Sequence, residues 1–377
     1  MKILHLIFSG AISGAEKYLK HLLPGLTEQG AVCHLYIVSP EKTAALFNDY
    51  CTELNRLGVK TTLLIAGKTS VISTAKKINQ YLKANNISIV HSHLFISDVI
   101  AAVLKILNPR IYLISTKHGY QEKLLQQYIP GTRYRPNDLY YYITKFILGK
   151  IDKNVAVSKG IADLYYNLGL TKTHYHFIHH GVNIDAFNKE DYAAQCRLAD
   201  PQLIIVGRIE KFKGHQFLLE AMPVVAAAFP GVKLLVLGEG SEKNNCIESV
   251  KNKGLQNNVI FAGFKDHPYS YISNSDVIVL PSLFEPFGLV YIEAFALKTP
   301  VVAFNTPAGN EIMTDNETAL LVEKGDSRAL ADKIIFLLKN KTEKDAIAER
   351  AFKKYNECFT TQIMIQNTLN WYKSLGL

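Results

Sequence analysis

Residues 277–303 read VIVLPSLFEPFGLVYIEAFALKTPVVA. An apolar run, Val277–Leu280, enters a loop holding Pro281, Pro286 and Gly288. A helical stretch, Leu289–Leu297, follows, and a second apolar run, Val301–Ala303, closes the segment. Strand, helix and strand in that order form a βαβ unit, which places its two strands parallel in one sheet. The same alternation extends on both sides. In the second half Leu203–Val206, Lys233–Leu237, Val259–Phe261 and Ala319–Val322 have the composition of strands, and Phe217–Ala228, Glu242–Lys253 and Arg328–Lys339 that of helices. In the first half the strands are Lys2–Phe8, Ala31–Val38, Lys60–Leu64, Ile87–His91, Ile111–Thr116, Asn154–Val157 and His176–Ile178. Ala15–Gln29, Val71–Asn85 and Ser97–Leu107 have helical patterns.

The chain therefore predicts an α/β protein of two doubly wound domains, residues 1–183 and 184–357. A hinge is expected near residues 183–200, within the polar segment Asp185–Ala199. The final stretch, Lys344–Ser374, reads as helical, and residues 358–377 are expected to cross back and pack on the first domain. Ligands of such sheets sit beyond the carboxyl ends of the strands, so two facing domains imply a cleft.

Composition agrees with a globular protein of this size. The chain has 377 residues, 48% hydrophobic, 20% charged and 10% aromatic, which argues against disordered, collagen-like and disulfide-stapled classes. No apolar run reaches the roughly 18 residues of a bilayer span, and MKILHLIFSG reads as a buried strand in place of a signal peptide. Cys33, Cys51, Cys196, Cys246 and Cys358 are scattered and odd in number, as expected of reduced thiols in a cytoplasmic protein. Residues 1–185 carry 21 Lys and Arg against 11 Asp and Glu, whereas residues 186–377 carry 21 against 22. The basic half would attract a polyanion: nucleic acid, an anionic lipid surface or a phosphorylated substrate.

Three places concentrate chemistry. Glu285 lies in the loop after Val277–Leu280 and Glu293 about one turn into the following helix, whose amino end at Gly288 and Leu289 favours an anion. Two carboxylates beside such an end suit recognition of hydroxyls; singly, each also fits a solvated loop or a lysine-paired helix position. Gly207-Arg208 follows the strand Leu203–Val206, with Lys211 and Lys213-Gly214 close behind. Arg offers a planar fork for phosphate oxygens and Lys a mobile point charge, though the same pattern fits a solvated basic loop. Ser9–Gly14, before the first helix, is small enough for backbone amides to approach a ligand. Gly238-Glu239-Gly240 lacks the third glycine of a dinucleotide fingerprint and reads as a plain turn.

Histidines gather at His91-Ser-His93, at Lys117-His118-Gly119 and among His174, His176, His179 and His180. No cysteine joins them and no spacing gives a closed four-ligand set, so no metal is expected. Alternation in a strand is taken to leave one of His91 and His93 buried and the other exposed.

A longer series of motifs runs in order along the chain. It comprises Ser13-Gly14-Ala15-Glu16, Ile89-Val90-His91-Ser92-His93, Thr116-Lys117-His118-Gly119, Val157-Ser158 and His180-Gly181-Val182-Asn183. It continues with Val206-Gly207-Arg208 through Lys213-Gly214, Gly238-Glu239-Gly240, Pro281-Ser282 with Glu285 to Glu293, and Thr299-Pro300-Val301-Val302. With these, and with the two glutamates at E-x7-E spacing, the chain resembles a family 4 glycosyltransferase of the GT-B fold nearly end to end. The resemblance implies retaining transfer of a hexosyl-type unit from a nucleoside-diphosphate sugar, UDP- or GDP-linked, with no obligatory metal or other cofactor. The acceptor would be a hydroxyl of a glycan or lipid-linked molecule, in cell-surface polysaccharide synthesis. The first domain would serve the acceptor and the second the nucleotide sugar. Arg208 and Lys213, with Gly207, would hold the diphosphate; Glu293 would bind ribose hydroxyls; Glu285, with the backbone of Phe287, Gly288 and Leu289, would bind the donor sugar. His118 would lie near the anomeric carbon, Gly14 would approach the donor from the first domain, and Gly263 and Phe264 would cradle the base. A nucleotide-sugar epimerase is the alternative on the same architecture.

The stretch Tyr120–Ile151 interleaves Tyr128, Tyr134, Tyr140, Tyr141 and Tyr142 with Lys123, Arg133, Arg135, Lys145 and Lys150. It suits peripheral docking on an anionic membrane at the inner face, and equally an ordinary lid and helix. No recognition helix or RNA-stacking motif is present, so nucleic acid is not an expected partner.

Overall fold

In the computed structural model, residues 1–67, 70–120, 136–184, 196–265 and 268–377 are described. Tyr128, Tyr134, Lys123, Arg133, Arg135 and most of the expected hinge lie outside them. The chain forms two compact units: Met1–Gly181 with Thr361–Leu377, and Val182–Thr360.

The first unit holds a parallel sheet of β1 (Lys2–Phe8), β2 (Val32–Ser39), β3 (Lys60–Ile65), β4 (Ile89–His93), β5 (Tyr112–Lys117), β6 (Lys153–Ala156) and β7 (His176–Phe177). Their spatial order is β3-β2-β1-β4-β5-β6-β7. Between them run α1 (Gly14–Glu28), α2 (Phe47–Arg56), α3 (Val71–Ala84), α4 (Phe95–Leu107), α5 (Leu139–Leu148) and α6 (Lys159–Asn167). The central strand β1 is apolar almost throughout because both its faces are covered. Leu4 and Leu6 join Ile78 and Leu82 of α3 and Ile100 and Leu104 of α4. Ile3 and Ile7 join Leu19 and Leu22 of α1 on the other face.

The second unit repeats the plan with β8 (Gln202–Val206), β9 (Lys233–Leu237), β10 (Val259–Gly263), β11 (Val277–Leu280), β12 (Val301–Phe304) and β13 (Leu320–Val322). The sheet is parallel in the order β10-β9-β8-β11-β12-β13. Its helices are α7 (His215–Ala228), α8 (Lys243–Asn252), α9 (Pro268–Ser273), α10 (Leu289–Ala296), α11 (Pro307–Ile312), α12 (Ser327–Lys339) and α13 (Lys341–Cys358). A last helix, α14 (Thr361–Ser374), belongs to the first unit, where Met364, Leu369, Trp371 and Tyr372 enter the core beside α1.

The stretch Lys344–Ser374, expected to be helical, holds two helices, α13 and α14. At the break Phe359 is buried, its carbonyl accepts the Val182 N–H at 3.1 Å, and Thr360 bridges to Val182. Pairing with another strand segment takes the backbone that a continuous helix would use.

Candidate active site

Parallel strands end on one edge of their sheet, and the segments Ser9–Gly14, Lys117-His118, Gly207–Gly214, Gly263-Phe264 and the loop with Glu285 each lie at or just past the carboxyl end of a strand. In the second unit the loop after β8 is fixed from two sides. Gly207 N–H donates to Leu237 O at 3.0 Å and Ile209 N–H to Glu239 O at 2.9 Å. Gly238-Glu239-Gly240 is therefore not a plain turn: its backbone seats the loop that carries Arg208. From the opposite side, Leu283 N–H donates to Phe212 O at 2.8 Å, tying the loops after β8 and β11 together. Gly214 has φ +76°, and a Cβ there would lie 1.8 Å from the Pro281 carbonyl oxygen. Only glycine lets the chain turn into α7 so close to the end of β11.

These constraints bring charges together. Lys213 Nζ lies 2.6 Å from Glu285 Oε2, with the two side chains 20% and 15% exposed. The Arg208 guanidinium and the Lys213 ammonium stand 5.3 and 5.7 Å from the centre of the Phe212 ring, within cation–π range. Gly288, the N-cap of α10, has φ +99°, and a Cβ would lie 2.3 Å from the Tyr291 ring and 3.1 Å from Glu285 Cγ. It thus leaves room for Glu285. Leu289 opens α10, while the Phe287 ring is buried with its centre 6.3 Å from that of Phe359. Glu293 is buried on α10 and accepts a hydrogen bond from the Tyr269 hydroxyl at 3.4 Å. Burial, and then the Glu293 carboxylate, push the Tyr269 hydroxyl far above its usual range, so it stays a donor. Gly263 ends β10 with its carbonyl accepting Gly238 N–H at 2.9 Å, and Phe264 beyond it is 68% exposed.

In the first unit Gly14 opens α1 behind Ser13, whose N–H and hydroxyl both donate to Glu16 Oε2, at 2.8 and 2.9 Å. His118 stands just past β5, its Nε2 3.2 Å from His93 Nδ1 and its ring 5.2 Å from that of Tyr18. Beside it, buried Lys117 places Nζ 2.6 Å from Asp98 Oδ2 and 2.8 Å from Ser115 Oγ. Asp98 Oδ1 accepts from Ser92 Oγ at 2.5 Å and Ser115 Oγ at 2.6 Å. Every oxygen of this buried carboxylate is occupied, and the Lys117-His118 turn is held by it.

The histidine expectation needs correction. His91 and His93 are both fully buried, since residues two apart in a strand point to the same face. Nor do the later histidines cluster: His174 pairs with Asp163 at 2.7 Å, His176 stacks on Trp371, and His180 lies against Tyr18. Instead His5, His91 and His93 bring nitrogens within 4.8 Å of one another. Those of His91 meet the Tyr372 hydroxyl at 2.6 Å and Thr116 Oγ1 at 2.7 Å, and His5 Nδ1 meets His93 Nε2 at 3.0 Å. The group is a hydrogen-bonded cluster.

Comparison with known proteins decides the family. Residues 12–186 match the model of Glycosyltransferase Family 4, and residues 188–354 that of Glycosyl transferases group 1. The chain belongs to the group 1, family 4 glycosyltransferases. Among curated relatives, the capsular polysaccharide biosynthesis glycosyltransferase CapM of Staphylococcus aureus is 34% identical over a region covering 45% of each chain. The N-acetyl-alpha-D-glucosaminyl L-malate synthase of Bacillus anthracis is 25% identical over 78% of this chain and 76% of its own. Among solved structures, Anabaena HepE in complex with UDP-glucose superposes with a TM-score of 0.80 at 18% identity, covering 99% of this chain and 100% of its own. A Rickettsia africae glycosyltransferase gives 0.77 at 22%, over 99% and 98%. These likenesses establish the GT-B fold for this glycosyltransferase.

Three features of the glycosyltransferase escaped the sequence reading. Asp98 sits in an ordinary-looking helix and meets Lys117 only through the fold. Tyr269 lies on a helix of six residues, too short for periodicity to show. His5 has no motif of its own; its clue was a polar residue in the middle of the otherwise apolar β1.

Proposed function

We propose that the enzyme moves a sugar, with retention of configuration, from a UDP- or GDP-sugar to a hydroxyl of a glycan or lipid-linked acceptor in cell-surface polysaccharide synthesis. The observation that carries this reading is the meeting of Lys213 and Glu285 beside Arg208 at the carboxyl edge of the second sheet. In this reading a donor's diphosphate draws Lys213 away from Glu285 and adds Arg208. Glu285, with the backbone at Phe287, Gly288 and Leu289, then takes sugar hydroxyls, Glu293 takes the ribose, and the backbone at Gly263-Phe264 borders the base. The two cations neutralise charge as the bond from the anomeric carbon to the diphosphate oxygen breaks, the part a divalent ion plays elsewhere. The acceptor oxygen bonds to that carbon from the same face and yields its proton to the departing phosphate. In this reading His118 meets a sugar hydroxyl, and Gly14 borders the donor.

Removing one preorganised charge of this kind costs roughly 100- to 1000-fold in turnover. Arg208→Ala and Lys213→Ala are each expected to lose that much transfer from a radiolabelled sugar nucleotide. Near-normal turnover in both would overturn the assignment, and interconversion of the sugar nucleotide without acceptor would favour an epimerase.

We also infer peripheral contact with an anionic membrane at its cytoplasmic face. The exposed side of α5 supports it: Leu139, Tyr142, Ile143 and Phe146 are 75%, 56%, 40% and 60% exposed. Their spacing forms a single helical stripe, with Lys145 and Lys150 beside it. Among the described residues no helix is long and apolar enough to cross a membrane.

A further inference from the structure

β1 and β4 place His5 and His93 on the sheet face covered by α1 and α14, and His118 follows at the end of β5. The three rings form a chain: His5 Nδ1 to His93 Nε2 at 3.0 Å, and His93 Nδ1 to His118 Nε2 at 3.2 Å. Burial lowers His5 and His118 to about 3 and His93 well below its usual value, so all three are neutral near pH 7.

A neutral imidazole carries one N–H and one lone pair. The middle ring must therefore donate to one neighbour and accept from the other, and one choice sets all three tautomers. Either every ring is protonated at Nδ1 and the chain donates from His5 towards His118, or every ring is protonated at Nε2 and it donates the other way. The far end separates the two. His5 Nε2 is buried and has no hydrogen-bond partner among the described residues. The second arrangement would leave an N–H there with nothing to accept it, and orphaned buried N–H groups are rarer than under-used acceptors. The first leaves only a lone pair.

We propose that His5 and His93 are positioning residues that hold His118 in the tautomer protonated at Nδ1, so that its remaining polar group is a hydrogen-bond donor. With Nε2 accepting from His93, His118 offers no free lone pair and serves a ligand by donation, not as a base. What His118 meets, a sugar hydroxyl, rests on the function proposed above; the tautomer does not.

The test uses the full chain labelled with 15N at histidine, and two-bond 1H–15N spectra near pH 7, with His118 assigned from the cross-peaks lost in His118→Gln. The expected spectrum shows a pyrrole-type Nδ1 and a pyridine-type Nε2 at His118. A pyrrole-type Nε2, or a charged ring, at His118 of the parent chain overturns the proposal. In His5→Phe, checked as folded by circular dichroism, the donor at the head of the chain is gone. His118 should then shift to a mixture of tautomers or to Nε2–H, and turnover should fall roughly tenfold, the scale of one lost hydrogen bond. An unchanged His118 pattern in the folded variant overturns the relay. Because the spectra need no sugar nucleotide, their outcome stands apart from that of the transfer assay.

Discussion

At the scale of single residues, the strongest prediction concerns a pair that no motif announces. Lys117 and Asp98 are both almost wholly buried, 2.6 Å apart, and the carboxylate also serves two serine hydroxyls. Burial lowers the Lys117 ammonium from its usual value, and Asp98 opposes that shift. Breaking a buried pair from one side leaves an uncompensated charge, at about 3–5 kcal/mol. Asp98→Asn is therefore expected to lower the unfolding free energy, measured by urea denaturation, by that amount, and Lys117→Met in the same background to restore part of it, since the uncompensated buried ammonium is then gone. An Asp98→Asn protein as stable as the parent would show that the pair does not hold the Lys117-His118 turn. The contrast with Lys213 and Glu285 is instructive. Those two belong to short local motifs, so the sequence could name them, whereas Asp98 and Lys117 meet through packing between α4 and β5.

At the scale of elements, legibility followed burial. Strands covered on both faces, such as β1, β9 and β11, are continuous apolar runs, and their bounds could be read to within a residue or two. The short helices α9 and α11 could not, because six residues complete less than two turns and carry no period. The polar spacing of β4, by contrast, misled: a histidine pair was divided between two faces when the pleat puts both on one. The α5 helix was legible only as tyrosines and lysines; its outward apolar stripe appears once Tyr141, Thr144 and Ile147 are seen buried on the opposite side. A stripe of this kind flanked by cations should partition into an anionic interface. The protein is expected to co-sediment with vesicles containing phosphatidylglycerol and less so with phosphatidylcholine alone. Binding should weaken with salt and fall further in an Ile143→Ser/Phe146→Ser double variant. Equal recovery in the supernatant with both vesicle types would refute the contact.

At the scale of the whole molecule, two parallel sheets and a returning terminal helix were readable because the βαβ rhythm admits few other topologies. What the rhythm could not convey was that the first sheet buries a group of imidazoles where apolar side chains would be expected. His5, His91, His93, His118 and His180 are each depressed below their usual pKa, mainly by burial, two of them to about 3. In the unfolded chain such residues protonate near 6.5. Between that pH and the folded values the unfolded state binds protons that the folded state refuses, so stability is whole above about 6.5 and declines as pH falls. One pH unit below 6.5, each contributes a loss of about 1.4 kcal/mol, and the five together several times that. Thermal unfolding is accordingly expected to move sharply to lower temperature between pH 7 and pH 5.5, well before carboxylates titrate. His5→Phe should flatten the slope by about one proton, whatever it does to the absolute melting temperature. A melting temperature constant across that interval would mean that the cluster takes up protons while folded, and that its rings are not held neutral by the core around them.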